Sequence, residues 1–103
     1  MSYSVRKLVA ANKTVASAAT AEALSATERL VPKLKIKALL GNTNNVYVGD
    51  SSVSATVGYP LDAGEEIELS ELFGSEGENL FDLSQIYVDV DTDGEGVAII
   101  FAE

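Results

Sequence analysis

Residues 33–40, with the sequence KLKIKALL, place lysine and apolar side chains in alternation. A period of two sends successive side chains to opposite faces of an extended chain, so this segment predicts a β-strand with one buried and one solvated face. The next residues, GNTNN at 41–45, tolerate turn conformations, and VYV at 46–48 favours a second strand. These two strands are predicted to form a hairpin.

The C-terminal part of the chain shows the same alternation at residues 86–91. Turn-forming residues follow at 92–96, and residues 97–101, VAIIF, are continuously apolar. The pattern predicts a second hairpin. Its return strand lacks a polar face, which predicts cover on both sides, either in the centre of a sandwich or by another subunit.

The segments between these hairpins are less regular. Residues 66–69 alternate and predict another strand, whereas residues 53–57 are polar enough to be an edge strand or a loop. Residues 58–64 predict a turn, because Pro60 fixes its own φ and Gly64 permits a positive φ.

Residues 13–31 support two interpretations. Residues 18–30 are rich in alanine, glutamate and leucine, and Ser25 and Glu28 have the spacing of a helix capping box, which favours a helix. Against this, residues 13–17 have an extended pattern, and serine and threonine recur throughout the segment. The residues alone leave the choice between helix and strand open.

The composition limits the available chemistry. The 103 residues suit one compact domain, and an apolar fraction of 47% is too high for a disordered tail. Because the chain contains no cysteine and no histidine, it has no disulfide, no thiolate metal site and no histidine for acid–base catalysis. A hydrolase would depend on carboxylate pairs such as Glu65/Glu66 or Asp89/Asp91, and surface solubility explains these acids better. We therefore expect a protein that is not an enzyme.

The charges are divided along the chain. All seven basic residues lie in the first 37 positions, so residues 1–37 have a net charge of +5 and residues 38–103 have one of −14. Such a division favours contacts between copies, or docking on a larger assembly. The overall charge of −9 repels nucleic acid, and the apolar run at 8–11 is too short for a signal peptide or a membrane span. We expect neither nucleic acid nor a membrane among the partners.

The strand patterns predict two charged ladders. Lys33, Lys35 and Lys37 share one strand face, and Asp89, Asp91 and, if the strand extends that far, Asp93 share another. The ladders are either two independent solvated faces, or they meet on neighbouring strands of one sheet or across a subunit boundary.

Residues 89–94, DVDTDG, match the first half of a calcium-binding loop. The second half is missing, because Ile100 occupies the position of the bidentate glutamate, and strands rather than helices are predicted on both sides. The favoured interpretation is an acidic hairpin without a cofactor, which keeps the edge soluble. Calcium binding in a curled turn is the alternative, and its candidate ligands are Asp89, Asp91, Asp93 and Glu95.

A charged loop with two glycines, at residues 73–79, is flanked by four large apolar side chains. These side chains, among them Phe73 and Phe81, are either anchors that fix the loop to the core or parts of a partner surface. The residues alone favour anchoring.

Four segments of the chain have a characteristic order and spacing. They are TVASAATA at 14–21 with Leu24, the strand before GNTNNVYVG at 41–49, GYPLDAGE at 58–65 and LSQIYV at 83–88. Taken together, from about Thr14 to Phe101, they resemble small virion structural proteins of tailed bacteriophages, of the kind that decorate or cement the capsid.

The resemblance implies an all-β fold, a small antiparallel β-sandwich or barrel of about six to eight short strands. In that fold residues 13–17 and 20–24 are strands rather than a helix. The implied role is non-enzymatic: many copies, often as trimers, bind the major capsid protein on the outside of the head and stabilise it. The expected location is the capsid surface of the virion, after synthesis in the host cytoplasm.

Two other roles remain open. Similar small β-modules occur in tail and fibre parts, so a tail or fibre component is one alternative. The other is a calcium-assisted carbohydrate-recognition module, in which Tyr47, Tyr59 and Tyr87 stack on sugar rings.

Residues 1–12 lie outside the stretch of resemblance and are basic and mixed in pattern. We expect them to form an extended N-terminal arm that is loose in the free protein and ordered on the particle. A β-sandwich domain at residues 13–103 follows the arm. The interface candidates are Arg6, Lys7, Lys33, Lys35, Lys37, Phe73, Phe81, Asp89 and Asp91.

Overall fold

The alternating segment at residues 33–40 forms a strand in the interior of an antiparallel sheet. The structure, a computed structural model, describes residues 7–69 and 80–102. Within these ranges the strands are β1 (Leu8–Thr14), β2 (Glu22–Ala23), β3 (Leu30–Val31), β4 (Leu34–Ala38), β5 (Val46–Gly49), β6 (Tyr59–Leu61), β7 (Glu66–Glu68), β8 (Phe81–Asp82), β9 (Tyr87–Val90) and β10 (Gly96–Ala102). A 3₁₀ turn, Leu83–Gln85, lies between β8 and β9.

Two four-stranded sheets supply most of the fold. The first sheet has the strand order β1-β10-β4-β7, the second has β2-β9-β5-β6, and β3 and β8 form a separate pair. Every pairing among the described strands is antiparallel. The predicted all-β class, consistent with a small β-sandwich, is confirmed.

Alternate side chains from the two sheets meet in one hydrophobic core. β4 buries Leu34, Ile36 and Ala38 and turns its lysines outward, as the alternation predicts. Burying a large aliphatic side chain contributes about 1.5–3 kcal/mol, so the inner faces hold the sheets together. The other strand residues of this core are Val31, Val46, Val48, Leu61, Val88, Val90, Val97, Ile99 and Phe101.

Both predicted hairpins, at residues 33–48 and 86–101, are wrong. β4 and β5 lie in different sheets, and so do β9 and β10. The polar residues between β4 and β5 do not close a tight turn, because they bond the connection between β9 and β10 instead. Asn42 Nδ2 donates to Gly96 O at 2.9 Å, and Thr43 N donates to Glu95 Oε2 at 2.7 Å. Each connection is therefore an arch from one sheet to the other, and the two arches are bonded together.

Residues 18–30 form no helix. β2 lies within this segment, and the strand interpretation implied by the resemblance is correct there, although the strand is only two residues long. Ala19 has a φ of 67°, in the left-handed region that an α-helix does not contain. Ser25 Oγ accepts from Thr27 N at 3.2 Å, which makes a local turn in place of the predicted helix cap.

The segment 53–64 contains a loop, a strand and a turn. Residues 53–57 form a loop in which Val53 is buried. The first part of the predicted turn is the strand β6, and Pro60 is tolerated there because β6 is an edge strand. The rest of the predicted turn follows β6, and Gly64 has a φ of 83°.

Part of the predicted N-terminal arm belongs to the first sheet. β1 pairs with β10 from Leu8 opposite Ala102 to Thr14 opposite Gly96. Residues 8–12 are therefore strand residues rather than an extension ahead of the domain, because their apolar run pairs with the equally apolar strand β10. Arg6 and Phe73 lie outside the described residues.

Candidate interaction surface

The lysine ladder faces an acidic strand of its own sheet. The register places Lys35 opposite Glu68 and Lys37 opposite Glu66 on the outer face. Lys35 Nζ lies 3.1 Å from Glu66 Oε2 and 4.0 Å from Glu68 Oε2. Such half-exposed pairs contribute about 0–1 kcal/mol each, so they fix register more than they add stability. Lys33 lies exposed just before β4.

The two predicted ladders do not share a sheet. β4 belongs to the first sheet and β9, which carries Asp89, to the second. The expectation that the ladders meet on neighbouring strands is therefore wrong. A contact between them across a subunit boundary stays a prediction.

Asp89 is buried, with 2% of its surface exposed. Its register opposite Tyr47 places it on the outer face of the second sheet, where sequence alternation predicts a solvated residue. There it lines a small cavity together with residues 18–19 and 54–56, and Oδ1 accepts from Val90 N at 2.8 Å. The prediction that Asp89 is solvated fails because loops pack over this part of the sheet.

The remaining calcium candidates are bound to separate donors. Asp91 Oδ2 accepts from Tyr47 Oη at 2.8 Å, and Asp93 Oδ1 accepts from Ala18 N at 2.7 Å. Glu95 accepts from the Thr43 hydroxyl as well as from its amide. Across residues 7–69 and 80–102, no three side chains of the metal-ligating types histidine, cysteine, aspartate and glutamate lie together as a metal site would need. In the structure Asp93 and Glu95 each join two connecting segments, and Asp91 bonds to Tyr47 of β5.

The hydrogen bonds to these carboxylates shift their titration. The pKa of Glu95 lies below its usual value because Thr43 N–H, the Thr43 hydroxyl and Asn44 N–H donate to it. The pKa of Asp82 is lowered in the same way by the backbone and hydroxyl of Ser84. Both acids are therefore better stabilised as anions in the folded chain than in the unfolded one.

The melting temperature is expected to be constant between about pH 5 and pH 9 and to fall on acidification. Since the folded pKa values of Glu95 and Asp82 are depressed, their stabilisation is present above the unfolded values near 4 and is lost as the pH falls through the folded ones. Glu95→Gln should lower the melting temperature at neutral pH and make its fall on acidification less steep. Glu28→Gln, at an exposed position, is the control. If the melting temperature fell equally steeply on acidification in Glu95→Gln and in the unmodified protein, the stabilising role of the Glu95 carboxylate would be wrong.

The outer face of the first sheet has an apolar half that the sequence analysis did not identify. Leu8 lies opposite Ala102, and Ala10 lies opposite Ile100. Leu8 is 70% exposed and Ile100 is 40% exposed. We call this surface the outer apolar patch, and its members are Leu8, Ala10, Ala98, Ile100 and Ala102.

The continuous apolar run at residues 97–101 was the signal for this patch. That run predicts cover on both faces of its strand, and Val97, Ile99 and Phe101 are indeed buried on the inner side. No described strand packs over the outer side of β10. The cover that the sequence pattern predicts on the outer side is therefore not supplied by the described strands, which favours a partner protein there.

The other interface candidates have simpler environments. Phe81 is half-buried in β8 and packs against the core, which agrees with an anchoring role. Lys7 is exposed directly before β1. Tyr59 is exposed on β6, whereas the Tyr47 hydroxyl is bonded to Asp91.

Comparison with known proteins adds no relative. No protein-family profile matches the chain, and no curated protein or solved structure matches it significantly. Within the described residues, no helix is long and apolar enough to cross a membrane.

Proposed function

We propose that this chain is a non-enzymatic structural module of a phage particle, which binds the major capsid protein on the outside of the head and stabilises the shell. The observation that carries the proposal is the outer apolar patch on a small sandwich with a net charge of −9. Exposed apolar surface of this kind favours a lasting contact with another protein. The four segments that resemble capsid-decorating proteins support the same role.

The whole outer face of the first sheet has the layout of an interface. From β1 to β7 its side chains change from mainly apolar, at Leu8 and Ala10 on β1 and along β10, to basic at Lys35 and Lys37 and acidic at Glu66 and Glu68. The apolar half lies at the β1 edge of the sheet, and charged side chains border it on the side of β4 and β7; apolar surface beside polar groups is common in protein contacts. Burial of the apolar half favours association, and the charges orient the partner. On a particle this contact repeats in every copy.

Binding to capsids tests the proposal. The purified chain should bind mature, undecorated capsids of the phage that encodes it, at a fixed copy number per hexamer. Ile100→Asp should weaken this binding by at least about tenfold, because it places an unpaired charge in the buried centre of the contact. Co-sedimentation followed by quantification of bound chain gives the measurement.

Val57→Asp is the matched control, since Val57 is 56% exposed in a loop outside the patch. It should bind as the unmodified chain does. If the unmodified chain does not bind capsids, the head role is wrong and a tail or fibre position replaces it. If both variants bind equally weakly, charge rather than the patch governs binding. Melting that depends on calcium would favour the carbohydrate-recognition alternative.

A further inference from the structure

We propose that two copies of the chain pair antiparallel along the edge of β1 that no other described strand occupies, so that their first sheets join into one continuous sheet. This inference does not depend on the capsid role. It rests on three properties of β1: the direction of its backbone groups, the lack of edge protection, and a register in which the strand complements itself.

The hydrogen bonds at the end of β1 show which backbone groups face outward. Val15 N donates to Glu95 O at 2.9 Å, and Val15 O accepts from Gly94 N at 2.8 Å, so Val15 faces the chain of β10. Backbone direction alternates along a strand, so the odd-numbered residues of β1 bond to β10 and the even-numbered ones point away. The carbonyl of Gly96, opposite Thr14, points to the other side of β10, where it accepts from Leu39 N at 3.1 Å. The outward residues are Leu8, Ala10, Asn12 and Thr14.

The outer edge of β1 lacks the usual protection against pairing. Among the described edge strands, β2 is only two residues long, β6 contains Pro60, and β7 is three residues long with Glu66 and Glu68 on it. Short length, proline and charge are the devices that prevent edge pairing. β1 is seven residues long and contains none of them at its outward positions. Its charged residue, Lys13, has the opposite parity and is bonded to Glu22 at 2.8 Å.

One register uses all the outward groups. A two-fold axis through Ala11 places Ala10 opposite Asn12 of the second copy, and Leu8 opposite Thr14 of the second copy. Each outward residue then exchanges both backbone bonds with its opposite, about eight hydrogen bonds in total. A register centred on Ala10 instead places Lys7 opposite Lys13, which like-charge repulsion disfavours.

The same symmetry extends the exposed surface. A two-fold axis perpendicular to the sheet keeps the outer faces on one side, so the two outer apolar patches become neighbours across the axis. The pairing is isologous and closes at two copies. It therefore differs from the trimer that the resemblance to decoration proteins implies.

Sedimentation velocity on the full chain tests the pairing. The unmodified chain should have twice the mass of the 10.8 kDa monomer at high concentration and dissociate on dilution. Ala10→Pro removes an outward N–H and no bond to β10, so it should raise the dissociation constant by at least about tenfold with an unchanged circular dichroism spectrum. Ala10→Lys should act in the same direction, and it replaces the proline variant if that one does not fold. Ala16→Lys, at an exposed position outside β1, is the control that should remain dimeric.

Amide hydrogen exchange resolved by residue tests the register. Amides of Leu8, Ala10, Asn12 and Thr14 should be protected only at concentrations where the dimer forms, whereas those of Val9, Ala11 and Lys13 should be protected at all concentrations. A monomer at every concentration, a trimer, or a dimer that persists in both Ala10 variants overturns the proposal. So does exchange at the even positions that is independent of concentration.

Discussion

Gly96→Ala is expected to lower the free energy of unfolding by about 3 kcal/mol, because β1 passes directly over this glycine. A Cβ at position 96 would collide with the backbone oxygen of Lys13 and lie 2.7 Å from Thr14 Cα. Both obstacles are backbone atoms of a paired strand, so neither moves without breaking bonds between β1 and β10. Urea denaturation followed by circular dichroism measures the change.

Gly41→Ala is the control for this substitution. A Cβ there would meet no atom within 4 Å, so its effect should stay within about 0.5 kcal/mol. If Gly96→Ala were as mild as Gly41→Ala, the close approach of β1 to β10 would be wrong.

Ile36→Ala is expected to lower the free energy of unfolding by about 2–5 kcal/mol. Ile36 is completely buried on β4, and it lies between Ile99 of β10 and Ile67 of β7 in the register of the sheet. Its truncation removes apolar contacts and leaves a cavity where two inner faces meet. Thermal and urea unfolding of the purified variant give the value.

Ile100→Ala provides the comparison within the same sheet. Ile100 points outward beside Lys35, so its truncation should cost less than about 1 kcal/mol in the monomer. Equal losses at the two positions would mean that the outer apolar patch is already covered within a single chain.

The sequence predicts which face of a strand is buried better than it predicts the neighbour of that strand. The alternation at residues 33–40 places Leu34 and Ile36 in the core and the lysines outside, and the structure has the same arrangement. The partners of β4 are β10 and β7, which lie far along the chain. A local pattern contains no information about such pairings, so it predicts the next strand along the chain as the partner, and both of those predictions are wrong.

The other wrong predictions concern side chains that contact residues far away in the sequence. Glu95 bonds to Thr43 across 52 positions, and this bond turns a predicted hairpin loop into an arch. Asp89 alternates as a solvated residue does, yet loops from other parts of the chain pack over it. For the candidate surface, the lysine face was predictable from period two, whereas the apolar patch arises only when β1 and β10 are brought side by side.

The pairing of β1 with β10 also determines how the domain responds to mechanical force. Leu8 and Ala102 are opposite each other. A force that separates these two residues therefore acts on one pair of hydrogen bonds at a time, and the strands separate sequentially. A pull along the axis of β1 loads all its rungs together in shear. β1 therefore resists a force parallel to its axis better than a force that separates its end from β10.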